Sequence, residues 1–357
     1  MEPSLLRVDL GIAWKWEYDN DFVHIVNKKC LQNNLQSYIV HKNNLEETKH
    51  RLHSDGIKFN SFLDRASDED HDFTPFIESI KEKCHHCWFL NDTDHGTKIS
   101  DKSIIHFELA HAGINVPLTI ILPSLQEQPE IDLRDLERLC TPFIIKPAKT
   151  SGGGIGVIKN AKTEDDIESV RRSNPSVSYL VQQRICPACL NEKRAWFRVY
   201  YVLGEILICW WDDQTHLYDT MSKDDEDTFN LHALRTIARK IGMISKLDFF
   251  STEIALDTSG RFIVIDYIND ICDMRLKSRH YDGVPDDMVH EIAGLIVKGV
   301  KSKIRPVTKI ADTETVPDTK HLQASSTSIL GRFYNGSRYV LAKLTLLFKG
   351  SPPGRST

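Results

Sequence analysis

The sequence predicts a protein of mixed α/β and α+β class, with a small parallel-sheet domain followed by a larger, strand-rich domain. Strand-like and helix-like segments alternate through residues 1–97, which is typical of a parallel sheet covered by helices. The chain has 357 residues, 41% hydrophobic and 27% charged, as in ordinary globular proteins. At roughly 100–200 residues per domain, this length predicts more than one domain. We expect domains at residues 1–97 and 98–304, and a tail at residues 305–357.

Charge and hydropathy exclude several classes of protein. The net charge is −5, from 45 basic and 50 acidic residues, so we expect no nucleic-acid partner for the chain as a whole. No apolar run is long enough to span a membrane, and the first residues lack a basic stretch followed by an apolar one. We therefore expect no transmembrane segment and a cytoplasmic location.

Two pairs of cysteines have C-x-x-C spacing: Cys84 with Cys87, and Cys186 with Cys189. Four such thiolates could in principle bind zinc. The pairs are far apart in the chain, however, and each adjoins a strand-like run. This context favours unrelated, partly buried thiols, with a shared zinc site or redox chemistry as the alternative.

In the first domain, β-rich segments alternate with amphipathic ones. Gly56 is a suitable stop after the second helix. The predicted strands are 10–16, 37–40, 57–63 and 87–91, and the predicted helices are 21–33, 45–53 and 73–83.

The second domain is predicted to be rich in antiparallel pairs. Thr163 and Asp166 form a capping-box pattern, Gly242 is the expected stop of a helix, and residues 257–260 (DTSG) suit a hairpin turn. The predicted strands are 116–122, 143–146, 157–158, 179–185, 195–203, 205–211, 249–256 and 262–267. The predicted helices are 101–113, 132–139, one following Thr163, 229–241 and 285–300.

The tail divides into two parts. Residues 305–326 are polar and are predicted to be a linker. Residues 328–348 are apolar and basic, a composition that suits a helix docked on the body, and alternatively one bound to a partner or to a membrane surface.

A glycine-rich stretch, Ser151-Gly-Gly-Gly-Ile-Gly156, follows a strand that contains Lys146. Small residues let backbone N–H groups approach phosphate oxygens, and a nearby lysine can reach the same oxygens. The stretch has neither the Lys-Ser/Thr ending of a P-loop nor a helix after it. The pattern therefore predicts a flap between two strands that covers a nucleotide, with a plain flexible hairpin as the alternative.

Carboxylates cluster in the last predicted hairpin. Glu253 lies in one strand, Asp266 closes the apolar run of the other, and Asn269 and Asp270 follow. Facing positions of an antiparallel pair can bring such oxygens together. Few protein oxygens plus phosphates and water suit Mg²⁺.

Taken in order, these motifs resemble the ATP-grasp superfamily, which includes glutathione synthetase, D-alanine–D-alanine ligase and ribosomal-protein glutamate ligase. The matching stretches are DK at 101–102, FIIKPAKTSGGGIGV, YLVQQRI, RAWFRVYYVLGEI and STEIALDTSGRFIVIDYIN. The resemblance implies a two-subdomain ATP-grasp fold, with a flap subdomain at about 143–185 and a metal-binding, catalytic subdomain at about 186–304. Residues 1–97 would be the small domain that usually precedes it.

The resemblance also implies roles for individual residues. It assigns ATP phosphates to Lys102 and Lys146, and one or two Mg²⁺ ions, or Mn²⁺ in their place, to Glu253, Asp266 and Asn269. The other nucleotide positions are Ser151, Gly152, Gly153 and Gly154 in the flap, Gln182, Gln183 and Ile185 along the adenine, and Glu192 at the ribose. Arg198 corresponds to a phosphate-facing arginine.

One departure from the family pattern concerns the metal strand. Tyr267 and Ile268 separate Asp266 from Asn269, where one residue is usual. In a regular strand Asn269 would then lie on the opposite face, so either a bulge is present or Asp270 takes its place.

The implied activity is an ADP-forming, Mg²⁺-dependent ligase that activates a carboxylate as an acyl phosphate for attack by an amine. Its substrates would be a small-molecule or peptide carboxylate and an amine. Arg275, in a basic segment after the metal strand, is a candidate for binding an anionic substrate. Two alternatives stay open: a small-molecule kinase similar to the inositol-phosphate kinases, and a nucleotide-binding protein without turnover.

Overall fold

The computed structural model describes residues 5–92, 99–149 and 154–304, all within the unit Met1–Val307. Ser151, Gly152 and Gly153 of the predicted flap and the tail segment 328–348 lie outside the described residues. The described helices are α1 (Asn20–Gln32), α2 (Leu45–His53), α3 (Thr74–Lys83), α4 (Lys102–His111), α5 (Glu164–Ser173), α6 (Lys223–Thr228), α7 (Ala233–Ser245) and α8 (Asp286–Ile304).

Seventeen strands are described. The first eight are β1 (Leu6–Val8), β2 (Leu10–Trp14), β3 (Ser37–Val40), β4 (Ile57–Phe59), β5 (Ser61–Arg65), β6 (Trp88–Leu90), β7 (Thr119–Leu122) and β8 (Phe143–Pro147). The others are β9 (Ile158–Ala161), β10 (Tyr179–Gln183), β11 (Cys189–Leu190), β12 (Lys193–Arg194), β13 (Trp196–Val202), β14 (Glu205–Trp211), β15 (Tyr218–Thr220), β16 (Phe249–Leu256) and β17 (Phe262–Asn269).

The N-terminal sheet is parallel, as predicted, with the order β3-β2-β5-β6. The predicted strand 57–63 is divided at Asn60 into β4, which pairs with β1, and β5, which pairs with β2 and β6. The cause is a change of partner at Asn60, whose N–H donates to Val8 and whose carbonyl accepts from Trp88.

Two antiparallel sheets follow. The flap sheet has the order β7-β10-β8-β9, so it includes a strand before the range 143–185 expected for that subdomain. The other sheet, called the metal sheet after the predicted metal ligands in it, has the order β15-β14-β13-β16-β17. Its edge strand β17 is the metal strand. The mixed fold class predicted from the sequence is confirmed.

The metal sheet is buried on both faces. One face shares a core with α1, α8 and the parallel sheet, through residues such as Tyr200 and Cys209. The other face packs on α4 and α7, through residues such as Phe197, Val264 and Tyr267. The sheet therefore connects the N-terminal domain to the flap subdomain.

Three local predictions were wrong. Helix α7 continues through Gly242 to Ser245 and ends at Lys246, which has a positive φ of 58°. The space at Gly242 in the helix interior admits no side chain, because an added Cβ would lie 2.6 Å from the Tyr201 ring. The predicted helix 132–139 is only a 3₁₀ turn at Leu136–Leu139, and α6 was not predicted, because its acidic sequence has no apolar stripe.

No helix in the described part of the chain has both the length and the apolar composition to cross a membrane.

Candidate active site

The flap sheet and the metal sheet meet at Lys146. This residue lies on β8, paired with Leu180 of β10, and is only 8% exposed. Its Nζ atom donates to the carbonyl oxygen of Ile265 on β17, at 3.2 Å. The basic side chain of one sheet thus reaches the strand of the other sheet that carries Asp266.

Burial lowers the pKa of Lys146 to about 8. The negative charge of Asp266 opposes this shift, and the positive charge of Lys102 adds to it. Within the described ranges, Lys146 forms no ion pair with a carboxylate. A buried ammonium that contacts a carbonyl and an aromatic ring but no described carboxylate favours an anionic ligand.

Lys102 is the first residue of α4, and its backbone N–H donates to the carbonyl of Ala148, 2.8 Å away, just after β8. Asp101 caps the helix by accepting from the N–H of Ser103. The start of α4 is therefore fixed beside the end of β8, which brings the two predicted phosphate lysines within electrostatic range of each other.

The predicted metal ligands share one face of the metal sheet. Glu253 pairs with Asp266, and Ser251 pairs with Asn269. Tyr267 and Ile268 therefore stand opposite a single residue of β16, which is a β-bulge. The bulge returns Asn269 to the face of Asp266, so the first of the two alternatives drawn from the sequence, a bulge, is the one present.

Arg198 stands directly across from Glu253 on β13. Its Nη2 atom lies 2.6 Å from Glu253 Oε1, while Trp196 donates to Oε2 at 3.1 Å. Burial alone would lower the pKa of Arg198, but Glu253 raises it to a net value above the ordinary range. Arg198 Nε is buried and has no partner among the described residues, so the guanidinium keeps one donor for a ligand.

Comparison with solved structures identifies this arrangement of sheets. The chain is similar to D-alanine–D-alanine ligase from Bacillus anthracis complexed with ATP, with a TM-score of 0.59, 13% identity, and 84% of this chain and 97% of that chain covered. The fold is the ATP-grasp fold. The ATP-grasp resemblance predicted from the sequence is thereby confirmed at the level of the fold.

Two further structures have the ATP-grasp fold and resemble this chain. The ATP-grasp ligase PsnB, complexed with a precursor peptide and AMPPNP, gives a TM-score of 0.56 with 13% identity, covering 84% of this chain and 99% of that chain. An ATP-grasp RimK domain protein from Sphaerobacter thermophilus gives 0.54 with 15% identity, covering 81% and 98%. No protein-family model and no curated protein matches the sequence.

The residues present fit the nucleotide and metal of an ATP-grasp site. Two carboxylates and one amide on a shared face, at Glu253, Asp266 and Asn269, could hold Mg²⁺, which takes few protein oxygens. The buried ammonium of Lys146 could hold a phosphate. No group of three or more His, Cys, Asp or Glu side chains within 5–92, 99–149 and 154–304 could hold a metal ion, so the two C-x-x-C pairs do not assemble a zinc site there.

The predicted adenine-edge residues occupy different environments. Gln182 is 3% exposed, and its Nε2 atom donates to Tyr267 Oη at 2.6 Å and to Thr119 Oγ1 at 2.9 Å. Gln183 and Ile185 are half-buried. The amide nitrogen of Gln182 is thus bound within the protein, and only the other two side chains present surface along this edge.

Glu192 and Gly154 lie in turns. Glu192 is exposed in the tight turn between β11 and β12, with a positive φ of 64°. Gly154, also at positive φ, is the described end of the flap, and a Cβ there would meet open space. Their assignments to the ribose and the phosphates stay predictions.

Arg275 is held by two carboxylates. Its guanidinium forms ion pairs with Asp273 at 2.8 Å and Asp282 at 3.1 Å, and lies 5.8 Å from the Trp16 ring centre. Hydrogen bonds to Asp273 in particular raise its pKa. To bind an anionic substrate, as predicted, the Arg275 guanidinium would have to contact the substrate as well as Asp273 and Asp282.

Sequence reasoning missed two residues at the site, Tyr267 and His106. Tyr267 is 1% exposed, and its Oη atom lies 2.6 Å from His106 Nδ1. The sequence signal for Tyr267 is the extra residue between Asp266 and Asn269, and His106 has no comparable signal.

Proposed function

We propose that the protein is an ATP-dependent ligase that activates a carboxylate as an acyl phosphate and transfers the acyl group to an amine. The contact of Lys146 with β17, one residue from Asp266, supports this proposal most strongly. It brings a buried positive charge to the strand that carries Asp266, and Asp266 pairs with Glu253 on the neighbouring strand. ATP-grasp ligases in the comparison bind ATP, ADP and Mg.

The reaction must bring an anionic carboxylate to the anionic γ-phosphate. Lys146 and Lys102 would bind the phosphate oxygens, and Arg198 would neutralise charge that develops during transfer. Mg²⁺ held by Glu253, Asp266 and Asn269 would supply further charge neutralisation.

The carboxylate oxygen forms a bond to the γ-phosphorus as the bond to ADP breaks. The amine nitrogen then bonds to the carbonyl carbon as phosphate leaves, and the nitrogen loses a proton. Most of the rate enhancement would come from positioning and electrostatics.

A kinase that acts on a polyanionic substrate is less well supported. The basic segment after β17 would have to bind that substrate, but its two arginines form ion pairs and its lysine is bonded to a backbone carbonyl within the protein. Arg275 is paired with Asp273 and Asp282, Arg279 lies 3.2 Å from Asp21, and Lys277 donates to the Tyr218 carbonyl. This favours a ligase over the kinase alternative.

We also propose that residues 1–97 form the small domain and that residues 98–304 form the nucleotide-binding domain. The core shared by Ile12, Phe22 and Tyr200 of β13 supports a fixed position of the small domain against the metal sheet.

The test is to incubate the full-length protein with Mg-ATP and pools of carboxylates, peptides and amines, and to follow ADP, phosphate and products by mass. Ligation predicts phosphate release and a condensed product only when an amine is present. A phosphorylated product that accumulates without phosphate release would instead establish a kinase. Lys146→Ala should abolish the reaction, with Lys159→Ala, at an exposed position on β9, as the control.

A further inference from the structure

The hydroxyl of Tyr267 is the centre of a buried hydrogen-bond network. It lies 2.6 Å from His106 Nδ1 and accepts from Gln182 Nε2, also at 2.6 Å. Gln182 Nε2 donates in addition to Thr119 Oγ1, and Thr119 donates to the carbonyl of Pro117 at 2.8 Å. Five residues are thus joined in one chain of polar contacts.

One arrangement of protons uses every donor of the Gln182 amide and the Tyr267 hydroxyl. Gln182 uses its two amide hydrogens on Thr119 and Tyr267, and Tyr267 then has its own proton available for His106 Nδ1. His106 must be neutral to accept it. Burial, with the nearby ammonium of Lys146, lowers the pKa of His106 to about 4, which keeps the imidazole neutral. Fully satisfied buried networks specify a unique geometry.

The network crosses every boundary around the site. His106 lies on α4, Thr119 and Gln182 lie on the flap sheet, and Tyr267 lies on the edge strand of the metal sheet. It therefore ties together three elements, in addition to the bonds of Lys102 to Ala148 and of Lys146 to Ile265.

The ring of Tyr267 also contacts the lysine of the flap sheet. Lys146 Nζ lies 4.9 Å from the ring centre and donates to the carbonyl of Ile265, two residues earlier. A cation over a tyrosine face is stabilised by the ring quadrupole, more strongly when desolvated. The ring of Tyr267 thus stabilises the ammonium of Lys146, and its hydroxyl bonds the metal strand to Gln182 of the flap sheet and to His106 of α4.

The bulge makes this arrangement compatible with metal binding. Asp266 and Asn269 lie on the face of Glu253, whereas Tyr267 belongs to the apolar core on the other face with α4 and α7. The bulge thus keeps both predicted ligand positions on one face, while the buried side chain of Tyr267 between them lies on the other.

We propose that Tyr267 is a positioning residue that fixes the flap sheet against the metal strand and so sets the place of Lys146 relative to Asp266. This inference rests on the proposed function only in that Lys146 binds a phosphate. Loss of the hydroxyl should let the two sheets separate, and the phosphate-binding groups would no longer be held in register.

The experiment compares Tyr267→Phe with Tyr179→Phe in the full-length chain. Tyr179 is a matched control, because it is a buried tyrosine on β10 whose hydroxyl contacts Val170, at 3.5 Å, and Asn174, both within the flap subdomain. The affinity for AMPPNP with Mg²⁺ is measured by calorimetry well below each melting temperature. We expect Kd to rise about tenfold in Tyr267→Phe and to change less than twofold in Tyr179→Phe.

Two further variants, His106→Leu and the double variant Tyr267→Phe/His106→Leu, separate positioning from simple destabilisation. Both single variants should lower the melting temperature, which a purely structural role also predicts. Positioning predicts in addition that His106→Leu weakens nucleotide binding, and that the double variant binds no more weakly than Tyr267→Phe alone, because the two groups act through one bond.

Each outcome decides the matter. A folded Tyr267→Phe with unchanged Kd overturns the inference, and if that variant does not fold, unchanged Kd in His106→Leu does so. If the wild-type protein binds no nucleotide at all, it is the proposed function that fails.

Discussion

Lys146 Nζ lies 4.9 Å from the centre of the Tyr267 ring, so a cation of the flap sheet rests on an aromatic side chain of the metal strand. Burial keeps the pKa of this lysine near 8, below the 10.5 of an exposed lysine. Its charge is therefore costly in the ligand-free protein. We expect Lys146→Met to raise the free energy of unfolding at pH 7 by an amount on the order of 3 kcal/mol, because each pKa unit corresponds to about 1.36 kcal/mol.

The same substitution should remove a pH dependence. Between pH 8 and pH 10.5 the unfolded lysine keeps its proton while the folded one has lost it, so wild-type stability rises through this window. The advantage of Lys146→Met should shrink over that interval. Urea unfolding of both proteins at several pH values gives the difference curve, and a constant difference would contradict the shift.

Asp266→Asn should remove the Mg²⁺ dependence of nucleotide affinity, because one of two facing carboxylates is lost while the shape of the side chain is kept. Turnover, once substrates are identified, should fall on the order of 10²–10³. Asp165→Asn, at an exposed position of α5, is the control. ADP titrations with and without Mg²⁺ make the comparison, and an unchanged Mg²⁺ effect in Asp266→Asn would exclude this residue from the metal site.

The buried ion pair of Asp19 and Arg65 joins the parallel sheet to the segment after β17. Both side chains are 1% exposed, and Arg65 Nη2 also donates to the carbonyl of Cys272 at 2.7 Å. Asp19→Ala leaves an uncompensated buried guanidinium and should cost about 3–5 kcal/mol of stability. Asp72→Ala, which breaks an exposed pair with Lys42, should cost at most about 1 kcal/mol by the same denaturant titration.

Gly242→Ala tests the contact of α7 with the metal sheet. The added methyl would lie 2.6 Å from the Tyr201 ring, which is stacked on Phe250 with ring centres 5.0 Å apart. We expect a loss of about 1–3 kcal/mol, although alanine favours helix formation. Gly294→Ala in α8, where only Lys29 Nζ lies within 4 Å, should be neutral or stabilising by up to about 1 kcal/mol. Equal thermal stability of the two variants would contradict this packing argument.

The sequence was sufficient to predict features that depend on local chemistry. The capping box of Thr163 and Asp166, the hairpin across residues 257–260 and the bulge before Asn269 are all present. Each follows from short-range rules of hydrogen bonding or side-chain alternation.

Features that depend on tertiary contacts could not be predicted in this way. Gly242 has the sequence signature of a helix stop, yet its small size is required by Tyr201 from another element. Arg275 has the signature of a substrate-binding arginine, and its partner Asp282 is identified only by the fold of the loop between them. In the sequence Tyr267 only separates two predicted ligands. Its role depends on the fold, which brings His106 and Gln182 from two distant segments to its hydroxyl.

The bulge in β17 has a consequence for how the proposed site can change over time. Because Asp266 and Asn269 lie on one face and Tyr267 on the other, we expect substitutions at 267 to alter how firmly the flap sheet is held against β17 while the predicted oxygen ligands keep their face. The rigidity of the proposed site and its metal affinity would then evolve through different residues of one stretch of four.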